Sequence, residues 1–407
     1  MTRSLFVLVS ALGLAACTVN TAAPTPNPAP VPVDTDAGPA VDAAVVQPTL
    51  GFQPSNVSLM GIDLSDVGDQ DVNTDCAIQT GNDPNQDTCF DEHVARANVT
   101  QSDGSKVTLI VVKSMNVEPN AHITVGGPIP LVIVSLSDLK ILGTLDAHAA
   151  RDVATCGGFA QTSGADGKGS GPGGGAAGSG VGETTPGVGG GGASYCGLGG
   201  KGAAEMDSAA LPGSPTAAYG AVDLRPLVGG SSGGDGDLGA GAGGGAIQFV
   251  AGGAFTMAAG SYINVGGGGG SSGGTNGQNA GGGGSGGSVL IEATTVTISG
   301  MIAANGGGGG AGGLDAAPGL DGTPDSHFAN GGSGGSVGGA GSSASSIIGA
   351  DGSDVAGSSA GGGGGGAGRI RVNSMSGIGT LASGSTSPAS TTTCVTQGKL
   401  RAMGTSI

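Results

Sequence analysis

The sequence predicts an all-β protein, a parallel β-solenoid with long Gly-rich loop insertions and a disordered N-terminal tether. Two observations favour this fold. A short unit rich in β-branched residues recurs along the chain, and blocks of Gly separate its copies. Helical periodicity is essentially absent. A unit of this size cannot bury its apolar face alone, whereas stacked copies form one continuous core.

The repeated unit consists of a β-branched run, a polar turn, an alternating run, a Gly and a short strand. Its copies begin at Val107, Pro130, Ala246 and Ser288, and a degenerate copy begins at Arg369. In the run 295–298, alternation places Val296 and Ile298 on one face of a strand. The recurrent Gly143, Gly260 and Gly300 predict corners with positive φ. A β-sandwich is the alternative fold, and it would show two-residue hairpin signals between strands.

Glycine accounts for 92 of the 407 residues, whereas about 7% is usual. It comes in blocks, such as 266–270, 306–310 and 361–366, with no strict Gly-X-Y period, so collagen is excluded. These blocks have few side chains to bury and little charge. Composition leaves two interpretations open: flexible loops, or extended segments packed through backbone hydrogen bonds and Cα–H···O contacts.

The N-terminal residues have a pattern that predicts export of the protein. Arg3 and a short apolar run, 5–12, are typical of a signal peptide, and the residues 14–17, Leu-Ala-Ala-Cys, are similar to a bacterial lipobox. That similarity implies that Cys17 becomes the first mature residue and carries a lipid, with an ordinary signal peptide as the alternative. Thr18 in place of Asp favours the outer membrane, with the protein on its periplasmic face or at the cell surface.

The predicted organisation has five parts. They are a lipoprotein signal peptide at 1–16, a Pro/Ala-rich tether at 17–48, an Asp-rich segment at 49–105, the β-solenoid at 106–385 and a C-terminal tail at 386–407. The apolar run of the signal peptide is too short to span a bilayer, and no other stretch approaches ~18 apolar residues. Alternating prolines between 24 and 32 favour an extended spacer.

Export permits disulfides. The economical pairing joins Cys76 to Cys89 and Cys156 to Cys196, leaving Cys394 free or in an alternative pair. No Cys-x-x-Cys motif occurs, so neither a thiol redox motif nor a four-Cys zinc site is supported.

The Asp-rich segment contains a weak candidate for a Ca²⁺ site. Asp69, Asp71, Asn73 and Asp75 place oxygen ligands on alternate residues, as a Ca²⁺ loop does. The pattern departs from the EF-hand, because Thr74 and Thr80 stand where that loop has Gly and Glu. A similar but shorter run lies at 83–87. A solvated Asp/Asn turn is the alternative interpretation.

Other chemistry has little support. The net charge of −17 argues against nucleic acid as a partner, because no basic stripe exists to neutralise phosphates. The four histidines are isolated in sequence and have no metal-ligand spacing, and His122 and His148 are interpreted as surface or strand-edge residues. Solenoid polysaccharide lyases need clustered acids with Lys or Arg, and only Asp138, Lys140, Asp146 and Arg151 come near such a set.

Several of these features together resemble the glycine-rich lipoproteins of myxobacteria. They are the lipobox, the Pro/Ala tether, the segments 101–107, 130–134 and 143–147, the Gly blocks and the closing 368–372. The resemblance covers most of the mature chain. That family has no established activity, so the resemblance implies a cellular location and a fold more than a function.

We therefore expect a non-enzymatic, lipid-anchored cell-envelope protein with a structural, coat or adhesive role. Its expected partners are the membrane, through Cys17, and surface polysaccharide or other envelope proteins. The alternatives are a Ca²⁺-dependent carbohydrate-binding module and a β-helix polysaccharide lyase or hydrolase. No cofactor other than Ca²⁺ is expected.

Overall fold

The computed structural model describes residues 50–403, apart from 82–86, 162–166, 179–186, 205–209, 237, 275–277 and 354–358. The predicted signal peptide and nearly all of the tether lie outside these residues. Within the described residues, the regular secondary structure consists of strands. Most of the described chain nevertheless lies outside strands, chiefly in the Gly-rich segments.

The strands extend over almost the whole described chain. They are β1 Asp69–Val72, β2 Cys76–Gln79, β3 Ala95–Thr100, β4 Lys106–Val112, β5 Ser114–Val117, β6 His122–Gly126, β7 Leu131–Ser135, β8 Leu139–Ile141 and β9 Thr144–Asp146. They continue as β10 Ala246–Met257, β11 Tyr262–Asn264, β12 Ser288–Ile298, β13 Met301–Ala303, β14 Arg369–Ser374, β15 Thr380–Leu381, β16 Thr386–Ser387 and β17 Val395–Lys399.

These strands form two sheets. The larger has eleven strands, ordered β1-β5-β8-β10-β12-β14-β17, with β3, β4, β7 and β15 paired off this path. The smaller has six strands, ordered β16-β13-β11-β9-β6-β2. The recorded pairings are parallel except for β3 with β4. Repeated units therefore do pair in parallel, since β10 lies between β7 and β12 in register.

The predicted β-solenoid is wrong. The strands belong to two open sheets, and the larger one branches and contains the antiparallel pair β3–β4. The Gly-rich segments are also not loop insertions. They are largely buried and hydrogen-bonded to one another. The repeated apolar runs are buried by packing the two sheets face to face, which alternation alone does not distinguish from stacking in a solenoid.

One hydrophobic core lies between the two sheets. It is formed by the inward side chains of both, among them Ile123, Leu145 and Ile263 from the smaller sheet and Ile133 and Ile291 from the larger one. These side chains are fully buried. Because alternate residues point to opposite faces of a strand, their neighbours in the smaller sheet point outward.

A second core covers the other face of part of the larger sheet. Here β4, β7 and the first halves of β10 and β12 are buried on both faces, which explains their continuous apolar runs. The cover includes residues 50–64, called here the N-terminal strap, which contributes Leu50, Phe52, Val57 and Leu64. Tyr195, Leu224 and Leu227 complete it.

The Gly-rich segments form a bundle held together by backbone hydrogen bonds, and the segment 281–287 shows the pattern. Successive N–H groups donate to three different neighbours in rotation, at N···O distances of 2.8–3.0 Å. The first neighbour is the segment 265–271, whose Ser271, Gly268 and Val265 accept from Gly281, Gly284 and Gly287. The second is 231–234, where Gly234 and Ser231 accept from Gly282 and Ser285. The third is 363–366, where Gly363 and Gly366 accept from Gly283 and Gly286. A repeat of three is that of the polyproline II helix, which makes no internal hydrogen bonds.

The bundle requires Gly because its segments approach one another closely. A Cβ atom on Gly284 would lie 1.9 Å from the carbonyl oxygen of Ala242, and one on Gly365 would lie 1.9 Å from that of Gly284. Collagen needs Gly at every third residue for the same reason, the crowding at its axis. Here the central segments have neighbours on all three sides, so they need Gly at nearly every position. That geometry accounts for unbroken Gly blocks.

The three predicted Gly corners differ from one another. Gly260 has a φ of 88°, as predicted, but Gly143 and Gly300 do not adopt positive φ. They are instead sites of close contact: a Cβ on Gly143 would lie 2.3 Å from the carbonyl oxygen of Glu118, and one on Gly300 would lie 2.3 Å from Ser261 Oγ.

Two disulfides are present. Cys76 and Cys89 are joined, as expected, but the expected pair of Cys156 and Cys196 is wrong, because Cys196 is bonded to Cys394. Cys156 is a buried free thiol whose Sγ lies 3.2 Å from the carbonyl oxygen of Ala246. Burial raises the pKa of Cys156 to about 12, which makes the thiol unreactive.

We predict that Gly365→Ala destabilises the protein by at least about 2 kcal/mol, because the new methyl group would collide with a backbone carbonyl that the bundle holds in place. Gly51→Ala is the control, since a Cβ at Gly51 meets nothing within 4 Å. Urea denaturation of the two variants and the wild type measures the difference. Equal midpoints for both variants would contradict the close-packed bundle.

We predict that Cys394→Ser destabilises the protein more than Cys76→Ser. The first variant opens a loop of 198 residues and the second a loop of 13. On the chain-entropy model, closing these loops stabilises the folded protein by about 5 and about 3 kcal/mol, respectively. Denaturation under non-reducing conditions measures both losses. A proteolytic digest should also contain a peptide that links positions 196 and 394; a link from 156 to 196 would refute this pairing.

Candidate functional site

The candidate Ca²⁺ ligands lie on or beside β1. Asp69 accepts hydrogen bonds from Lys113 Nζ at 2.8 Å and Ser114 Oγ at 2.7 Å. Asp75 accepts one from the backbone N–H of His122 at 3.1 Å. Asp71 and Asn73 are exposed.

No cluster of three or more His, Cys, Asp or Glu suited to a metal ion occurs in the part of the chain that the structure describes. Residues 83 and 85 of the second acidic run lie outside that part. The Ca²⁺ site stays a prediction.

The second half of the larger sheet has an exposed polar face. Buried and exposed residues alternate there along β1, β8 and the end of β12. The strand registers align a polar row across six strands: Asp71, Asn116, Lys140, Thr256, Thr297 and Thr380. The row is a flat, hydrophilic surface whose ionic groups lie at one end.

The residues considered for a lyase do not converge on one face. Asp138 and Lys140 lie at the larger sheet, where Asp138 Oδ1 accepts a hydrogen bond from the Ala254 N–H at 2.8 Å. Asp146 belongs to β9 of the smaller sheet, and Arg151 follows it in a turn. These four residues therefore do not form one site, and the lyase alternative stays a prediction.

Glu292 is a fully buried carboxylate. Its Oε2 accepts hydrogen bonds from the Ser55 N–H and Gln248 Nε2, and its Oε1 from Ser55 Oγ and Asn373 Nδ2, at 2.6–3.1 Å. Four donors satisfy an ionised carboxylate, which is an acceptor only. This network fastens the N-terminal strap to the larger sheet and leaves Glu292 no free position for chemistry, so its role is structural.

The outer face of the smaller sheet carries a different kind of cluster. Three adjacent strands, β6, β9 and β11, align His122, Thr144 and Tyr262. His122 Nδ1 lies 2.7 Å from Thr144 Oγ1, and the centroids of the His122 and Tyr262 rings are 6.4 Å apart. All three side chains are partly exposed.

Asp146 follows Thr144 on the same face of β9, and His148 lies two residues further along the chain. Asp146 Oδ1 lies 2.5 Å from His148 Nδ1 and accepts a further hydrogen bond from the His148 N–H at 3.0 Å. The side chain of His148 is 33% exposed and that of Asp146 13%. We call His122, Thr144, Asp146, His148 and Tyr262 the histidine patch. It combines an aromatic ring, imidazoles, a hydroxyl group and a carboxylate.

The patch residues perturb each other's titration. The hydrogen bond to Asp146 raises the pKa of His148, against an opposing effect of burial. Burial on its own raises the pKa of Asp146, but the hydrogen bonds and charge of His148 outweigh it, so this pKa lies below its usual value. Burial, followed by the charge of Asp146, raises the pKa of Tyr262. Asp146 and His148 therefore form an ion pair at mildly acidic pH.

The patch was missed in the sequence, where His122 and His148 were interpreted as isolated surface or strand-edge residues. They are 26 positions apart in sequence. Parallel pairing of β6 with β9 places His122 opposite Thr144 and Thr124 opposite Asp146, the residue that contacts His148. A usable signal did exist. His122, Thr144 and Tyr262 each precede a buried aliphatic residue at the start of the short strand of a unit.

The predicted lipidation site, Cys17, lies outside the described residues. Those residues include no helix with the length and hydropathy of a membrane span. Comparisons with protein-family models, curated proteins and solved structures find no match to this chain. The lipoprotein resemblance therefore stays a prediction.

We predict a pH-dependent contribution of His148 to stability. With a raised folded pKa, the contribution of His148 is complete below its unfolded value of about 6.5 and fades as the pH rises through the folded pKa. Asp146, with a lowered pKa, contributes above about pH 3.9 and loses this contribution as the pH falls through the folded value. The pair is therefore strongest between about pH 4 and 6.5.

His148→Gln should lower the melting temperature more at about pH 5 than at about pH 8.5, because the contribution of His148 fades as the pH rises through its raised pKa. The control is His327→Gln, because the His327 side chain is 86% exposed, and it should change little at either pH. A His148→Gln penalty of the same size at both pH values would contradict the ion pair.

Proposed function

We propose that the chain is a non-enzymatic, lipid-anchored protein of the bacterial cell envelope, with a structural, coat or adhesive role. The observation that supports this most is the glycine bundle. Its close contacts are made by backbone atoms, so its interior offers few side chains for chemistry. Such a bundle is suited to a stiff body that holds surfaces at a distance from a membrane.

The rest of the proposal concerns the location of the protein in the cell. The lipobox-like residues 14–17 and the proline-rich tether support an anchor at Cys17, followed by a spacer that separates body and lipid. Two disulfides are consistent with an exported protein. Multiple acyl chains make such an anchor firm, since each buried methylene contributes about 0.8 kcal/mol. The proposed location is the outer membrane.

We predict that Cys17→Ser abolishes lipid labelling and moves the protein from the membrane fraction to the soluble fraction. The full chain is expressed in a Gram-negative host with radiolabelled palmitate, and the fractions are compared by immunoblot. Cys156→Ser is the matched control, because it removes a buried thiol and should leave labelling intact. Labelled Cys17→Ser protein, or unlabelled wild type, would overturn the lipid anchor. Proteolysis of intact cells then distinguishes the cell surface from the periplasmic face.

A further inference from the structure

The histidine patch differs from an ordinary solvated sheet face. The strands β2, β6, β9, β11 and β13 contain no Lys, Arg or Glu, the long charged residues that usually cover an exposed face. Short polar side chains and rings occupy it instead. The chain has only three tyrosines and four histidines, and one tyrosine and two histidines belong to this patch.

The other two tyrosines have structural roles. Tyr195 and Tyr219 pack against each other with centroids 4.5 Å apart, and their hydroxyl groups donate to the carbonyl oxygens of Val228 and Gly229. Tyr262 is therefore the tyrosine that has a partly exposed ring on a sheet face. Tyrosine combines a large apolar face with a polar tip and has few rotatable bonds, so it contributes contact area at low entropic cost.

We propose that the histidine patch binds a neutral carbohydrate, with the Tyr262 ring against the C–H face of a sugar. This proposal names a ligand class for the proposed adhesive role. It rests on the proposed function only for the location of the protein in the cell envelope. Sugar hydroxyl groups both donate and accept. The patch offers acceptors at Asp146, both functions at Thr144, and imidazole nitrogens at His122 and His148.

The polar groups are held in place before a ligand arrives. Asp146 is fixed by two contacts with His148, and His122 by its contact with Thr144. At the rim, the carboxylate of Asp321 accepts hydrogen bonds from the N–H groups of Arg151 at 3.0 Å and Gly269 at 2.7 Å. Preorganisation of this kind lowers the cost of binding.

Charge selects a neutral ligand. The net charge of the chain is −17, and Asp146 and Asp321 lie at the patch, so acidic polysaccharides are repelled. Asp146 is already paired with His148, and two backbone N–H groups hold Asp321. Both carboxylates therefore already have hydrogen-bond partners.

The experiment measures retention of the purified full chain, in detergent, on immobilised β-1,3-glucan, β-1,4-glucan, mannan and galactan. Alginate and polygalacturonate serve as acidic probes. We expect retention on at least one neutral polysaccharide and none on the acidic ones. We also expect it to persist in EDTA, which separates this site from the Ca²⁺-dependent alternative. Because binding is measured in detergent, a failed lipid anchor would not affect it.

Tyr262→Ala should weaken binding by at least about tenfold, the equivalent of about 1.4 kcal/mol, whereas Tyr262→Phe keeps the ring and should retain most of it. Thr144→Ala should also weaken binding. Thr297→Ala, on the exposed face of the other sheet, is its matched control and should not. Asp146→Asn replaces Tyr262→Ala if the latter's melting temperature shows that it is misfolded.

Four outcomes would overturn the proposal. They are retention on no neutral probe, retention on acidic probes alone, retention only with Ca²⁺, and equal retention of wild type and patch variants.

Discussion

The close approach of backbone to backbone in the glycine bundle is the constraint on which the rest of the structure depends. Ordering a Gly costs more conformational entropy than ordering any other residue, and these segments have almost no side chains to bury in return. What offsets the cost is a hydrogen bond from successive N–H groups to three neighbours in turn, together with dense backbone contact. A single methyl group at Gly284 would lie 1.9 Å from a carbonyl oxygen, so the bundle tolerates no other residue there.

The bundle also determines how the strands are placed. The segments 281–287 and 361–368 run directly into β12 and β14, and Gly368 and Arg369 continue the hydrogen bonding of the bundle into the sheet. The strands therefore enter the larger sheet already in register. A local irregularity lies within β10, which shifts against β12 between Ala251 and Ala254, where two glycines of β10 stand opposite the single residue Thr294. The bundle is thus joined to two strands of the larger sheet by backbone hydrogen bonds.

Much of the strand content was predictable from sequence, and much of the arrangement was not. Period-2 runs such as 295–298 identify strands because alternation reports the strand itself. Alternation does not indicate how the sheets pack, so a β-solenoid and two sheets packed face to face predict the same sequence pattern. The glycine segments have no side-chain pattern at all, and their order depends on partners more than 70 residues away, such as Gly363 for Gly283. The Cys196–Cys394 pair was missed for the same reason, since β17 must join β14 before the two thiols meet.

A body built in this way confines side-chain chemistry to the outer faces of its sheets. Within the larger sheet, the buried carboxyl group of Glu292 accepts four hydrogen bonds and links the N-terminal strap to the sheet. The histidine patch lies outside both cores, on strands whose other face is fixed by Ile123, Leu145 and Ile263. Its strands are held by that core, while its side chains are partly exposed. Because the chain has so few aromatic residues, the partly exposed Tyr262 ring near His122 is the observation on which the proposed carbohydrate site depends.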